Sequence, residues 1–386
     1  MHRPDPGRRD VAPPAPARGR GAGGGLRRLP RGDPGGALGG RGRRWARRRP
    51  GPGGPAAAAR PPGAGAGGAA RRRARGGRGG PRRAGPRSRG GRAVGVAVIT
   101  DGAAALPPGL AAEAGVVVLP MWLTIGGTSY REDQIALEEL VARLDEGVTT
   151  SGPSPGEFRE AIEANLTPEG AVVLTVSRRV SGVHGAALLA TRPFGPAVRV
   201  IDTGTAAGGQ GLVALAAAAV ARAGGSLDEV EAAARRAAGR VRLVAALERL
   251  DRLVRGGHVP GLAAWAGRTL GLRPLVELRA GRIRPLRPAR SQEAAIERMV
   301  EACLEGGRGG GRLHAAAMHA LAPGAAERLL VRLRAAVEPA TAYVGPFSSV
   351  MVAHTGPGLV GLAWWWEEAE AGVEEPLVGA AAAVPA

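Results

Sequence analysis

The sequence contains no lysine, one cysteine, two tyrosines and three phenylalanines in 386 residues. Each scarcity removes a class of chemistry. The lone Cys303 leaves no internal disulfide framework and no cysteine metal centre. The six histidines (His2, His184, His258, His314, His319 and His354) show no metal-ligand spacing, so no metal is expected. There is no phosphate-binding loop with its lysine, no GxSxG elbow and no HExxH pair. Gly204 to Gly209 is glycine-rich but fails the dinucleotide fingerprint, and no cofactor is expected. No run approaches the roughly 18 apolar residues of a membrane span. The N-terminus lacks the apolar core of a signal peptide. These absences predict a soluble, cytoplasmic protein.

Charge is plentiful but uneven. The chain carries 53 basic and 33 acidic residues, net +20. Residues 1–92 hold 25 Arg against three acidic residues (Asp5, Asp10, Asp33), or +22, and leave the remaining 294 residues at −2. The basic character therefore belongs to the first quarter. That quarter is built of Arg, Gly, Pro and Ala and cannot bury enough apolar area to offset its ordering entropy. It is expected to be disordered. A basic arm of this kind touches nucleic acid or anionic lipid by charge alone. Trp45 is its only aromatic, so base stacking is missing and nucleic-acid binding is not expected. With lysine absent throughout, the arginine content also reads as codon bias.

From Val94 the pattern changes. Val94 to Thr100, Val116 to Leu119 and Ala171 to Val176 are apolar runs typical of buried parallel strands, and Val198 to Ile201 is a further strand ending in Asp202. Helical spacing fills the gaps: Ala136 to Glu146, a capped start at Ser154, Gly182 to Thr191, Gly208 to Ala223 and Ser226 to Ala238. Strand–helix alternation predicts a parallel α/β domain over residues 94–240. Beyond it, two runs flanking Ala280-Gly281 predict an antiparallel hairpin. Further strands are expected at Val241 to Leu247, Leu313 to His319, Thr341 to Val344 and Leu359 to Trp365, and helices at Ser291 to Leu304 and Pro323 to Val337. The second domain, residues 241–374, is thus an α+β lid with a mixed or antiparallel sheet. Residues 375–386 are expected to fray.

Ligands of open parallel sheets collect at the carboxyl ends of the strands. Four loops are assigned there: Asp101 to Ala104, Thr149 to Ser154, Ser177 to Gly182 and Asp202 to Thr205. Hydroxyls with free backbone N–H groups at a helix start make an anion site. The same residues also serve as ordinary helix caps. With few fixed cations beside them, they suit a single carboxylate better than a polyphosphate. His354-Thr355-Gly356-Pro357-Gly358 is read as a glycine-rich turn that a ligand can approach closely.

These motifs, in this order, resemble the DegV family of bacterial fatty-acid-binding proteins. The resemblance runs from Val96 to about Trp365. It is carried by Ile99-Thr100-Asp101, Val118-Leu119-Pro120, Tyr130 to Asp133, Thr150 to Phe158, Val180-Ser181-Gly182, Val200 to Thr203, Arg255 to Val259 and His354 to Gly358. It implies a two-domain α/β fold with a long-chain fatty acid buried between the domains. It also implies that Thr150, Ser181 and His354 hold the carboxylate, supported by Ser151, Gly182 and Asp101, with no catalytic residue. A separate fatty acid kinase would receive the acid for acyl-phosphate formation, with His258 and Arg290 as candidate contacts. Three positions depart from the family. Asp-Ser-Thr is here Asp101-Gly102-Ala103, the arginine of Gly-Gly-Arg-Ile is His258, and the usual glutamine of the Thr-Ser motif is Gly152. Two other readings stand beside this one: a hydrolase or transferase acting on a phosphorylated or acyl substrate in the same cleft, and nucleic-acid binding through the basic arm.

Overall fold

The computed structural model describes residues 95–255, 271–307 and 310–368. The basic arm and the last residues, 375–386, lie outside this set.

Strands apolar in both phases of the two-residue period are buried on both faces. They form a four-stranded sheet in the order β2-β1-β6-β7, all parallel. Its members are β1 (Ala97–Asp101), β2 (Val116–Leu119), β6 (Ala171–Thr175) and β7 (Val198–Asp202). Every residue of β6 is buried, as its run of Ala, Val and Leu requires.

Three strands absent from the sequence-based reading form a second, antiparallel sheet in the order β4-β3-β5. They are β3 (Trp122–Ile125), β4 (Thr128–Arg131) and β5 (Val148–Ser151). Each has four residues, and polar Thr and Ser dilute the apolar signal. The segment 149–154, read as a loop after a parallel strand, instead begins on β5. The helix expected over Ala136 to Glu146 is shorter, with α2 (Leu137–Ala142) followed by a 3-10 turn at Leu144–Glu146.

The third sheet is mixed. Its order is β10-β9-β8-β13-β11-β12, where only β11 and β12 are parallel. The strands are β8 (Arg242–Ala246), β9 (Arg273–Arg279), β10 (Arg282–Ala289), β11 (Arg312–His319), β12 (Thr341–Pro346) and β13 (Val360–Glu367). The hairpin turn falls at Ala280-Gly281, as expected. Both residues have positive φ, +48° and +72°, the backbone that a two-residue turn imposes.

Side chains divide this sheet by parity. Val360, Leu362 and Trp364 face a core shared with α8 (Gln292–Glu305) and α9 (Pro323–Ala336). Ala245, Ala316, Ala363 and Trp365 face the opposite way and join the core of the parallel sheet. The element between the two sheets is α5 (Gly208–Arg222), which contacts β1 and β6 on one side and β11, β13 and β8 on the other.

Helix α5 is rich in glycine and alanine because both its flanks are occupied. A Cβ added at Gly208 would lie 2.8 Å from Ala316 Cβ and 2.9 Å from Met318 Sδ. One added at Gly211 would lie 2.6 Å from the Tyr343 hydroxyl and 3.0 Å from Ala104 O. Overpacking of this kind destabilises by about 1–3 kcal/mol despite the better helix propensity of alanine. Gly208→Ala is therefore expected to lower the unfolding free energy by that amount, seen as a lower urea midpoint with an unchanged slope of the transition. No loss of stability would show that the sheets part freely at this contact.

Candidate ligand-binding site

A cavity of about 790 Å³ opens where elements from all three sheets meet. Met121 follows β2, and Val176 and Ala206 follow β6 and β7. Leu253 comes from α7 (Asp251–Arg255) and Leu278 and Ile283 from the β9–β10 hairpin. Val350 and Met351 come from α10 (Ser349–Thr355). None of these apolar residues was singled out from the sequence, because each belongs to a different local pattern. The alternation around Ala280-Gly281 was the one local signal, and it marks a hairpin rather than a cavity wall.

The polar part of the wall gathers residues from three distant segments. Thr150 is on β5, Ser181 and Gly182 lead into α4 (Val183–Thr191), and His354 is in the last turn of α10. All four line the cavity, as does Ser151. His354 thus belongs to a helix, not to the turn expected from Gly356 and Gly358. That helix is short, but Ser348 caps it by accepting from the Met351 N–H at 3.4 Å. Thr150 Oγ1 and His354 Nε2 lie 2.8 Å apart, hydrogen-bonded in a direction set by the imidazole tautomer. They are 204 residues apart in sequence. Ser181 Oγ accepts from the Val183 N–H at 3.4 Å, and so sits at the open N-terminus of α4. Backbone N–H groups there favour an anion.

Asp101 stands under the cavity rather than in its wall. It is fully buried, and its two carboxyl oxygens accept from the Ala103 N–H at 3.1 Å and the Val176 N–H at 2.9 Å. Burial, the largest influence, pushes its pKa up to about 6 against these hydrogen bonds. Asp101 therefore fixes the ends of β1 and β6, which deliver Ala103 and Val176 to the wall. Arg290 is exposed on the far side of β10 from its turn. His258 lies outside the described residues.

Two of the three departures from the family pattern have visible counterparts. A Cβ at Gly152 would lie 2.2 Å from Val183 Cγ2, so Val183 occupies the room a larger residue at 152 would need. A Cβ at Gly102 would lie 1.5 Å from Glu132 Oε1. The Glu132 carboxylate fills that space and accepts from the Met121 N–H at 2.9 Å. The sequence shows Glu132 only as part of the Tyr130 to Asp133 motif, since its packing depends on Gly102, thirty residues earlier.

Burial first, and then the neighbouring charge of Asp101, push the Glu132 pKa up to about 7. The folded state thus holds a proton that the unfolded chain releases near 4.5. Stability from this group is full below 4.5 and is lost as pH rises through about 7. Glu132→Gln, which stays neutral, is expected to stabilise the protein at pH 8 by roughly 2–3 kcal/mol, an advantage that vanishes below pH 5. Thermal unfolding of both proteins across that range measures it. An equal difference at both ends would mean that Glu132 is not titrating.

Among the described residues, no group of three or more His, Cys, Asp or Glu side chains is placed to hold one metal ion. No helix among them is long and apolar enough to cross a membrane.

The model of the DegV family of uncharacterised proteins matches residues 95–367. A DegV domain-containing protein of Streptomyces coelicolor is 37% identical over 273 residues, covering 69% of this chain and 97% of its own length. One of Mycobacterium tuberculosis is 33% identical over 274 residues, covering 69% and 96%. Among solved structures, a fatty-acid-binding DegV family protein of Thermus thermophilus is 30% identical with a TM-score of 0.66, covering 71% of this chain and 100% of its own. A DegV lipid-binding protein of Thermotoga maritima is 26% identical with a TM-score of 0.63, covering 71% and 99%.

Proposed function

The chain belongs to the DegV family, and from that premise we propose that it is a carrier that binds one long-chain fatty acid in the cavity and presents its carboxylate to a separate fatty acid kinase. The observation that carries the reading is the Thr150–His354 pair, 2.8 Å apart on the wall of a largely apolar cavity. A hydroxyl and an imidazole beside Met121, Leu278 and Ile283 suit a molecule with one small polar end and a long apolar one.

The energetics support a division of roles. Burying a methylene is worth about 0.8 kcal/mol, so a long acyl chain contributes on the order of 10 kcal/mol before binding losses. Hydrogen bonds to a charged group add about 1.5–3 kcal/mol each. The apolar wall then supplies affinity. Thr150, Ser181 and His354 supply orientation and the choice of an acid, with Ser151 and Gly182 beside them. Delivery to a kinase is inferred from the family resemblance, with His258 and Arg290 as candidate contacts.

A second reading has one observation behind it. A hydroxyl within hydrogen-bond reach of an imidazole is also the arrangement of a nucleophile and its base. A hydrolase or transferase of that kind turns over an acyl or phosphorylated substrate without a partner, whereas a carrier does not. Acyl-phosphate hydrolysis assayed with and without a kinase separates them.

Native mass spectrometry of protein expressed in bacteria is expected to show one co-purified acyl chain. Thr150→Val and Ser181→Ala should each weaken palmitate binding by about 1.5–3 kcal/mol, roughly ten- to 150-fold, and leave binding of the matching fatty alcohol nearly unchanged. An empty protein that also fails to bind added palmitate or oleate overturns the proposal.

A further inference from the structure

We infer that Glu157 and Trp122 are positioning residues for the carboxylate end of the cavity: one hydrogen bond between them holds the segment that presents Thr150 to His354. The inference rests on the reading of the cavity as an acyl-chain site.

Glu157 serves first as a helix cap. It is the third residue of α3 (Pro155–Asn165). Its backbone N–H donates to Ser154 Oγ at 3.2 Å, and its Oε2 accepts from the Ser154 N–H at 2.7 Å. Helix α6 (Leu227–Arg240) opens the same way, with Glu229 Oε2 accepting from the Ser226 N–H at 2.8 Å. Among the described residues, the Glu229 side chain bonds only to Ser226. A cap of this kind therefore needs one carboxylate oxygen. Glu157 uses both. Its Oε1 accepts from the Trp122 Nε1–H at 2.9 Å, across 35 residues of sequence.

Core packing does not explain Trp122. Strand β3 turns Leu123 and Ile125, both fully buried, to one face and sets Trp122 on the other, half-buried. Its register partner on β5 is Ser151, and Leu123 is opposite Thr150. From Ser151 the chain runs through Gly152, Pro153 and Ser154 to Glu157, which returns it to Trp122. The hydrogen bond thus closes a ring of backbone. Ser151, Gly152 and Pro153 lie within that ring and line the cavity, as does Thr150 beside it. The same segment rests on α4, where Gly152 meets Val183 with no room for a Cβ. It is held at two points, by packing at 152 and by the hydrogen bond at 157.

The polar end of the site is the part that needs this precision. Thr150 Oγ1 and His354 Nε2 meet at 2.8 Å from opposite ends of the chain. Hydrogen bonds weaken steeply with misalignment, whereas apolar contact is non-directional. A small shift of the end of β5 therefore costs recognition of a carboxylate before it costs binding of an acyl chain. Glu157 is ionised for its part. Partial burial favours the neutral acid, but hydrogen bonds from Ser154 and Trp122 and the charge of Arg131 outweigh it and hold the pKa below the ordinary carboxylate value. Both of its side-chain hydrogen bonds are thus charge-assisted, and stronger than neutral ones.

The test is competition of palmitate, and separately of its matching alcohol, against a fluorescent fatty acid bound to the delipidated full chain. Trp122→Phe keeps an aromatic ring and the α3 cap but removes the N–H. It should weaken palmitate binding about three- to tenfold, the size of coupling within one hydrogen-bond network, and leave the alcohol nearly unchanged. Glu157→Ala should lower the same acid-to-alcohol preference at least as far, and Trp122→Phe should then add nothing to it. Glu229→Ala, which removes the corresponding carboxylate from the α6 cap, should lower the Tm and leave binding of both ligands as in wild type. Equal losses for acid and alcohol in Trp122→Phe would make its role structural and overturn the inference. So would unchanged palmitate binding in Trp122→Phe, or additive effects in the double variant. Wild type that binds neither ligand, or both alike, overturns the reading of the cavity as a fatty-acid site instead.

Discussion

The close approach of two sheets to one small-residue helix sets the geometry of everything else. Helix α5 touches the parallel sheet on one side and the mixed sheet on the other, and at Gly208 and Gly211 there is no room for a methyl group. Interiors packed to crystal density transmit such constraints over their whole extent. The spacing that α5 imposes brings the β9–β10 hairpin over the loops that follow β6 and β7. Gly281 donates to Gly204 there, and Leu278 and Ile283 reach the cavity. A bulkier helix would lift the hairpin and open the wall.

A second constraint lies beneath the cavity. Asp101, Thr100 and Gln210 form a buried polar network, with Thr100 Oγ1 donating to Leu174 O at 2.9 Å and Gln210 Nε2 donating to Thr100 Oγ1 at 2.9 Å. Buried hydrogen bonds of this kind hold an interior to one arrangement, although Gln210 Oε1 itself finds no partner among the described residues. This one ties α5 to the ends of β1 and β6, the strands whose following residues form the wall. Ala103 and Val176, which follow those strands, are thereby held in the cavity wall.

The departures from the family pattern read differently in three dimensions. Gly152 and Gly102 looked like lost polar groups. Each is paired with a residue that takes up the space, Val183 in one case and Glu132 in the other. Neither position can be judged singly, because a side chain restored at 102 meets a carboxylate and one restored at 152 meets an isopropyl group. Effects at such contacting positions do not add.

The sequence by itself determined the parallel sheet, the hairpin at Ala280-Gly281, the capped helix start at Ser154, and the candidate set Thr150, Ser181 and His354. Each is encoded within a few residues by periodicity, turn chemistry, a cap or a motif. Only the tertiary structure decided that Thr150 belongs to a small antiparallel sheet, that His354 ends a helix, and that the two side chains meet. It also decided which residues of the core line the cavity. Those outcomes depend on contacts between segments as much as 204 residues apart, and the identity of a residue does not state what will lie against it.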